Sequence, residues 1–250
     1  MRGVALSQKD DSVLFSINQI QNASLNCASE STDAVDAMGT PIATFYRAKS
    51  AEFSAENALF DMNLMATQLG TAKKVASAAS KIVAPAMEGF TTEGGTYDLK
   101  HAPVSAPTEI YALNSDSTFG VKYTKGTDAS ATTFAINGNK ITLPTGLAKG
   151  TEMFVMYEYE TENAVEVVNS ATNFPVGCKF VMEVLGCDVC DQTNLVYAYV
   201  IFNNAKLSPD FDWSIATDGT HPFSMKAQQD YCDKEKRLFS IIIPEVKAEA

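Results

Sequence analysis

Two runs, CKFVMEVLG (178–186) and LVYAYVIF (195–202), limit what this chain can become more than any other feature. Both are rich in β-branched and aromatic residues, and both are apolar at odd and even positions alike. A strand sends alternate side chains to opposite faces. Strands of this kind therefore need cover on both sides, as central or sandwiched strands have. Other runs need cover on one side only. In EMFVMYEYETE (152–162) the odd positions carry Met153, Val155, Tyr157 and Tyr159, and the even positions run Phe154, Met156, Glu158, Glu160 and Glu162. The last three form one row of carboxylates on one face. FAINGNKITL (134–143) reads as a hairpin turned at Asn137-Gly138. FDWSIATDGTHPFSMKAQ (211–228) puts Phe211, Trp213 and Ile215 on one strand face before an Asp-Gly turn, and LFSIII (238–243) reads as a closing strand.

One segment has the period of a helix. SAENALFDMNLMATQLG opens at Ser54, a good N-cap, with Glu56 in the first turn and Gly70 as the stop. Leu59, Met62, Met65 and Leu69 form its apolar stripe, expected to pack on a sheet. Residues 72–83 suit a helix or a strand, and Ala84-Pro85 is expected to end either. The fold class that follows is mainly β: a β-sandwich or barrel with one flanking α-helix over about residues 54–70. The proline-rich HAPVSAPTE (101–109) and the hairpin after it mark 96–160 as a β-rich insertion or small appended domain. Residues 1–95 and 161–250 then form the main sandwich.

Candidate chemistry is sparse. GCDVC (186–190) places Cys187 and Cys190 in a Cys-x-x-Cys pair with Cys178 upstream. A closed zinc site needs a second ligand pair of similar spacing, and none exists unless Cys178 and Cys232 are brought in by the fold. A redox pair opens a helix after a strand, whereas DQTNLVYAYVIF continues into another strand. Structural thiols are the favoured reading, with zinc and redox chemistry as alternatives. Asp210, Asp212 and Ser214 alternate like calcium ligands, but the later EF-hand positions hold Ile215 and His221. His101 and His221 lie among turn residues, and no nucleophile elbow, phosphate-cradling loop or dinucleotide fingerprint is present. No catalytic, cofactor or metal residue is assigned, and the chain is not expected to be an enzyme.

Charge narrows the partners. The net charge of −11 leaves no basic footprint for tight nucleic-acid binding. Residues 151–200 hold eight acidic residues against one basic residue, Lys179. No apolar run approaches the ~18 residues of a membrane span. The first residues lack the apolar core of a secretory signal, and five cysteines, an odd number, fit free thiols in a reducing cytoplasm.

Two blocks carry a resemblance. They are GTPIATFYRAKSAEFSAENALFDMNLMATQLG (39–70) and AKLSPDFDWSIATDGTHPFSMKAQQDYCDKEKRLFSIIIPE (205–245). In strand order and turn placement the pair resembles the tail tube (major tail) proteins of tailed bacteriophages, and residues 134–159 resemble the outer hairpin region of longer members. The resemblance implies a virion protein, assembled in the host cytoplasm and needing neither cofactor nor membrane. It implies copies closing into hexameric rings whose inner sheets join edge to edge. The rings stack, with other tail proteins, into a conduit for DNA ejection. DNA would pass without specific binding, and Glu158, Glu160, Glu162 and Glu183 are candidates to face that passage. An ordinary solvated surface is the alternative for these four. The other functional classes are a β-sandwich capsid-decoration or adhesin-like binding module and a metal-dependent domain built on the cysteines.

Overall fold

The computed structural model describes residues 1–187, 195–212, 219–231 and 234–244. In chain order the elements are β1 (Arg2–Ser7), β2 (Val13–Ile17), β3 (Ile20–Val35), β4 (Pro41–Asn57), α1 (Met62–Gln68), β5 (Lys74–Val75), β6 (Ile82–Thr91), β7 (Thr96–Asp98) and β8 (Glu109–Leu113). They continue as β9 (Phe119–Lys125), β10 (Thr133–Asn137), β11 (Lys140–Thr142), β12 (Glu152–Thr161), β13 (Val165–Glu166), β14 (Gly177–Cys187), β15 (Leu195–Leu207), β16 (His221–Ala227) and β17 (Ser240–Ile242). The chain is mainly β with a single helix among the described residues. It divides into two units, one of residues 1–73 and 167–250, the other of residues 74–166.

The first unit is a sheet in the order β2-β1-β14-β15-β16-β4-β3, with β17 beside β15. Its two edge strands, β2 and β3, are joined by only Asn18 and Gln19, so the sheet curls onto itself. Five phenylalanines from five strands meet in its core. Phe53 lies 5.7 Å from Phe180, 5.9 Å from Phe202 and 6.0 Å from Phe223, and Phe15 lies 6.2 Å from Phe180. These spacings are those of favourable tilted and edge-on ring pairs. Gly3 is needed here, because a Cβ on it would stand 2.8 Å from a carbon of the Phe180 ring. Alternation holds along β14, where Cys178, Phe180 and Met182 are buried. The opposite faces of β14 and β15 are only half-covered, and Leu185 and Tyr197 are exposed.

The helix differs from expectation. Residues 54–57 end β4 instead of opening a helix, and Ala51, Phe53, Ala55 and Asn57 are buried at every second position. Pairing of β4 with β16, from Lys226↔Glu52 to His221↔Asn57, overrides the helix propensity of the Ala and Glu residues. α1 begins after Asp61, whose carboxylate accepts the N–H groups of Asn63 (2.9 Å) and Leu64 (2.7 Å). The expected stripe is not the buried face. Leu59 precedes the helix and is 60% exposed, and Met62, Met65 and Leu69 are half-buried, while Leu64, Ala66, Thr67 and Gln68 are buried. Gly70 does end the helix with a φ of +65°, and a Cβ on it would lie 2.2 Å from the Phe174 carbonyl oxygen.

The second unit has its own curled sheet, β6-β12-β8-β9-β10-β11-β7, and a small pair, β5 with β13. The edge strands β6 and β7 are again neighbours in sequence. Ile110, Phe134, Ile141, Met153, Val155 and Tyr157 fill a core separate from the first. This unit is wider than the 96–160 insertion expected, because β6 pairs along β12 from Ile82↔Thr161 to Thr91↔Glu152. Pro85 does not end a segment. It lies inside β6, an edge strand, where a missing N–H can face away from the sheet. At the hairpin, Asn137 pairs with Lys140 and the positive φ falls on Gly138.

Candidate assembly surfaces

The β3–β4 hairpin has two halves. Near the body, Ile20, Ala51, Phe53 and Ala55 are buried, and β16 covers the far edge of β4 over Glu52–Asn57. Farther out, residues 26–50 are all exposed. The strands stay paired, from Ala28↔Ser50 to Val35↔Pro41, but no third strand joins them among the described residues. The result is a two-stranded arm roughly 25 Å long, at about 3.3 Å per residue. Among the described residues, both of its edges are open.

The tip is held by local bonds. Asp36 accepts the N–H groups of Met38 and Thr40, each at 2.8 Å, the Gly39 N–H donates to the Asp36 carbonyl at 3.0 Å, and Gly39 has a φ of +84°. Phe45 and Tyr46 are 64% and 71% exposed and, as neighbours in a strand, point to opposite faces of the arm. Met38 is 91% exposed at the tip. An ion pair on the arm, Arg47 to Glu30 at 3.3 Å, is open to solvent and stabilises it little. A lone two-stranded ribbon is marginal in water. This arm is therefore chemically suited to being covered.

The acidic candidates separate. Glu158 and Glu160 are exposed in the second unit, on the β12 face that also carries Phe154 and Met156, and Glu162, exposed too, lies just past the end of β12. Lys81, across the sheet on the approach to β6, lies 3.8 Å from Glu160 and 3.7 Å from Glu162. No local pattern foretold this counter-charge, because it comes from register between strands about eighty residues apart. Glu183 lies in the first unit, half-buried on β14, and accepts the Tyr199 hydroxyl at 3.4 Å from the paired position on β15.

Buried polar groups pin each unit. His221, fully buried, accepts the Asp61 N–H at Nδ1 (3.3 Å), contacts the Gln68 amide oxygen through Nε2 (2.8 Å) and stacks on Phe60. Gln68 in turn donates to the Pro222 carbonyl at 3.1 Å. Burial holds the His221 pKa below its ordinary value, opposed by the Asp61 carboxylate. In the second unit Glu88 accepts hydrogen bonds from the Tyr157 hydroxyl, the Tyr97 hydroxyl (2.9 Å) and the Lys100 N–H (3.1 Å). Burial alone would raise the Glu88 pKa, but these bonds outweigh it and hold the carboxyl below its ordinary range. Burial and the same carboxylate push Tyr97 and Tyr157 up to about 12.

Of the cysteines, Cys27 is exposed at the base of the arm. Cys178 is buried in the first core, with its thiol pushed up to about 11 by burial. The Cys187 side chain, Cys190 and Cys232 lie outside the described residues, as do Trp213, Ser214 and Ile215. Asp210 and Asp212 are outside any strand. Among the described residues, no group of three or more His, Cys, Asp or Glu is placed to hold a metal ion, and no helix is long and apolar enough to cross a membrane. The model of the YomU/Tube protein family matches residues 3–238 of the chain. No curated protein matches it.

Proposed function

The chain belongs to the YomU/Tube protein family, and from that premise we propose that it is a structural subunit of a phage tail tube. Copies close into rings, hexameric by the resemblance described above, and rings stack into a conduit for DNA. The observation that carries this reading is the arm of residues 28–50, paired within itself and, among the described residues, open along both edges. Open edges invite pairing with another chain. In a monomer that is a hazard, and in a ring it is the joint. Aromatic side chains on both arm faces fit a ribbon covered by neighbours on each side. The role is structural rather than catalytic, and the partners are further copies and other tail proteins.

For the passage itself, Glu183 is the candidate carried furthest, because it belongs to the unit that bears the arm. A wall of carboxylates repels phosphate and lets the polymer slide. Glu158, Glu160 and Glu162 fit a solvated face better, since Lys81 offsets two of them. Electron microscopy of the concentrated protein tests the reading. Rings or hollow tubes are expected, and a strictly monomeric chain that stays so with other tail components present would contradict it.

A further inference from the structure

The second unit closes its curled sheet with side chains. Its edge strands are β6 and β7, and among the described residues no backbone ladder joins one to the other. Ile82, Ala84, Ala86, Glu88 and Phe90 share the inward face of β6. Two of them span the seam. The Phe90 ring stacks on the Tyr97 ring of β7 at 3.7 Å, and the Glu88 carboxylate accepts the Tyr97 hydroxyl at 2.9 Å. The same carboxylate accepts the Tyr157 hydroxyl from β12 and, at 3.1 Å, the N–H of Lys100 just past β7. The His101 N–H donates in turn to the Tyr157 oxygen at 3.1 Å. Glu88 is 4% exposed.

The seam holds down a distinct piece of the sheet. β11 pairs with both β7 and β10, and these three strands and the residue after β7 bring Phe134, Ile141 and Leu99 into the core. On its far side this piece joins β9 only through Thr133↔Thr124 and Phe134↔Lys125. β6, by contrast, pairs with β12 along its whole length. The chain leaving β7 returns to β12, where the Val104 N–H donates to the Glu158 carbonyl at 2.8 Å. Three strands are thus held against Met153 and Val155 by two short tethers and one side-chain clasp.

The clasp works in one protonation state. An ionised carboxylate only accepts, and three donors converge on this one. The titratable groups facing Glu88 are Tyr157 from β12, Tyr97 from β7 and Lys100, whose ammonium adds attraction. Protonation puts an O–H where those donors point. Bonds to a charged acceptor are roughly twice as strong as neutral ones, so losing the charge weakens all three together. An apolar side chain would close the seam without burying a charge. A carboxylate closes it only while ionised.

We propose that β7, β10 and β11 form a flap over the core of the second unit and that Glu88 is its acid-released clasp. The clasp is fully set above 4.5, the ordinary carboxyl value, and is lost as pH falls through the lowered value of the closed state. One proton is taken up per opening, so the open population should grow by up to about tenfold per pH unit in that window. Amide exchange of the full chain, read by NMR and corrected for intrinsic rates, tests this. Below pH 4.5, protection at Lys100 and His101 should fall with that slope while the β6–β12 ladder stays protected. Hydroxyl-radical oxidation of Met153, fully buried in the second core, should rise in step, and that of Met225, fully buried in the first, should not. Glu88→Gln should raise opening at neutral pH and remove the slope. Tyr97→Phe should raise opening and keep the slope, because the titrating group remains. Seam amides whose protection changes only together with the β6–β12 ladder overturn the proposal, as does an unchanged slope in Glu88→Gln. The wild-type pH series decides alone if that variant does not fold.

Discussion

His221 and Glu88 are the residues at which protonation and folding are most tightly joined. Burial holds the folded pKa of His221 below the unfolded 6.5. The unfolded chain takes up the proton first as pH falls. The stabilisation is therefore full above 6.5 and is lost as pH drops toward the folded pKa. Denaturant midpoints just below pH 6.5 should decline with pH in the wild type and less steeply in His221→Gln; equal slopes would show that the ring is not the titrating pin. Glu88 has the carboxylate sign. Its contribution is present above 4.5 and is lost as pH falls through the lowered folded pKa. Tyr97 and Tyr157 limit the alkaline side, where their contribution is full below 10 and fades as pH rises toward about 12. Glu88→Gln should flatten the acid limb of second-unit unfolding, and an unchanged limb would refute that assignment. None of these contacts could be read from the chain as text. His221 and Gln68 are 153 positions apart, and each alone looks like an ordinary turn or helix residue.

At the level of elements, the helix shows why local pattern can mislead. Small Ala residues at 51 and 55 conceal a period-two strand inside a segment whose propensities favour a helix. Only pairing with β16 decides it. The consequence is measurable. Leu64→Ala should cost about 2–5 kcal/mol, whereas Leu59→Ala, at an exposed site, should stay within about 0.5 kcal/mol; the reverse order would restore the discarded stripe. The alternation of 152–162 and the hairpin near Asn137-Gly138 were legible, because each depends on neighbours in sequence. Lys81 beside Glu160 and Glu162 was not, since register between distant strands places it there. The arm makes its own prediction. Its residues contribute nothing to either core, so replacing Phe45 and Tyr46 with Glu should leave the thermal midpoint of the free chain nearly unchanged while abolishing assembly. A variant that unfolds, or one that still assembles, would contradict this.

For the molecule as a whole, two separately cored units divide the work. The first bears the arm and the long β14–β15 hairpin, and the second closes its curled sheet through side chains of a proline-bearing edge strand. The β-rich class was legible in the strand runs, and the bounds of the second unit were not, because β6 joins it through pairing with β12 rather than through any break in composition. The central claim is that open arm edges join copies into a tube. A cryo-electron microscopy map of the assembled protein tests it most directly. The account predicts a hollow tube in which residues 28–50 of each copy lie at a junction, with backbone hydrogen bonds from an arm edge to a strand of its neighbour. A protein that forms no assembly, or a tube whose arms project free into solvent, would contradict it.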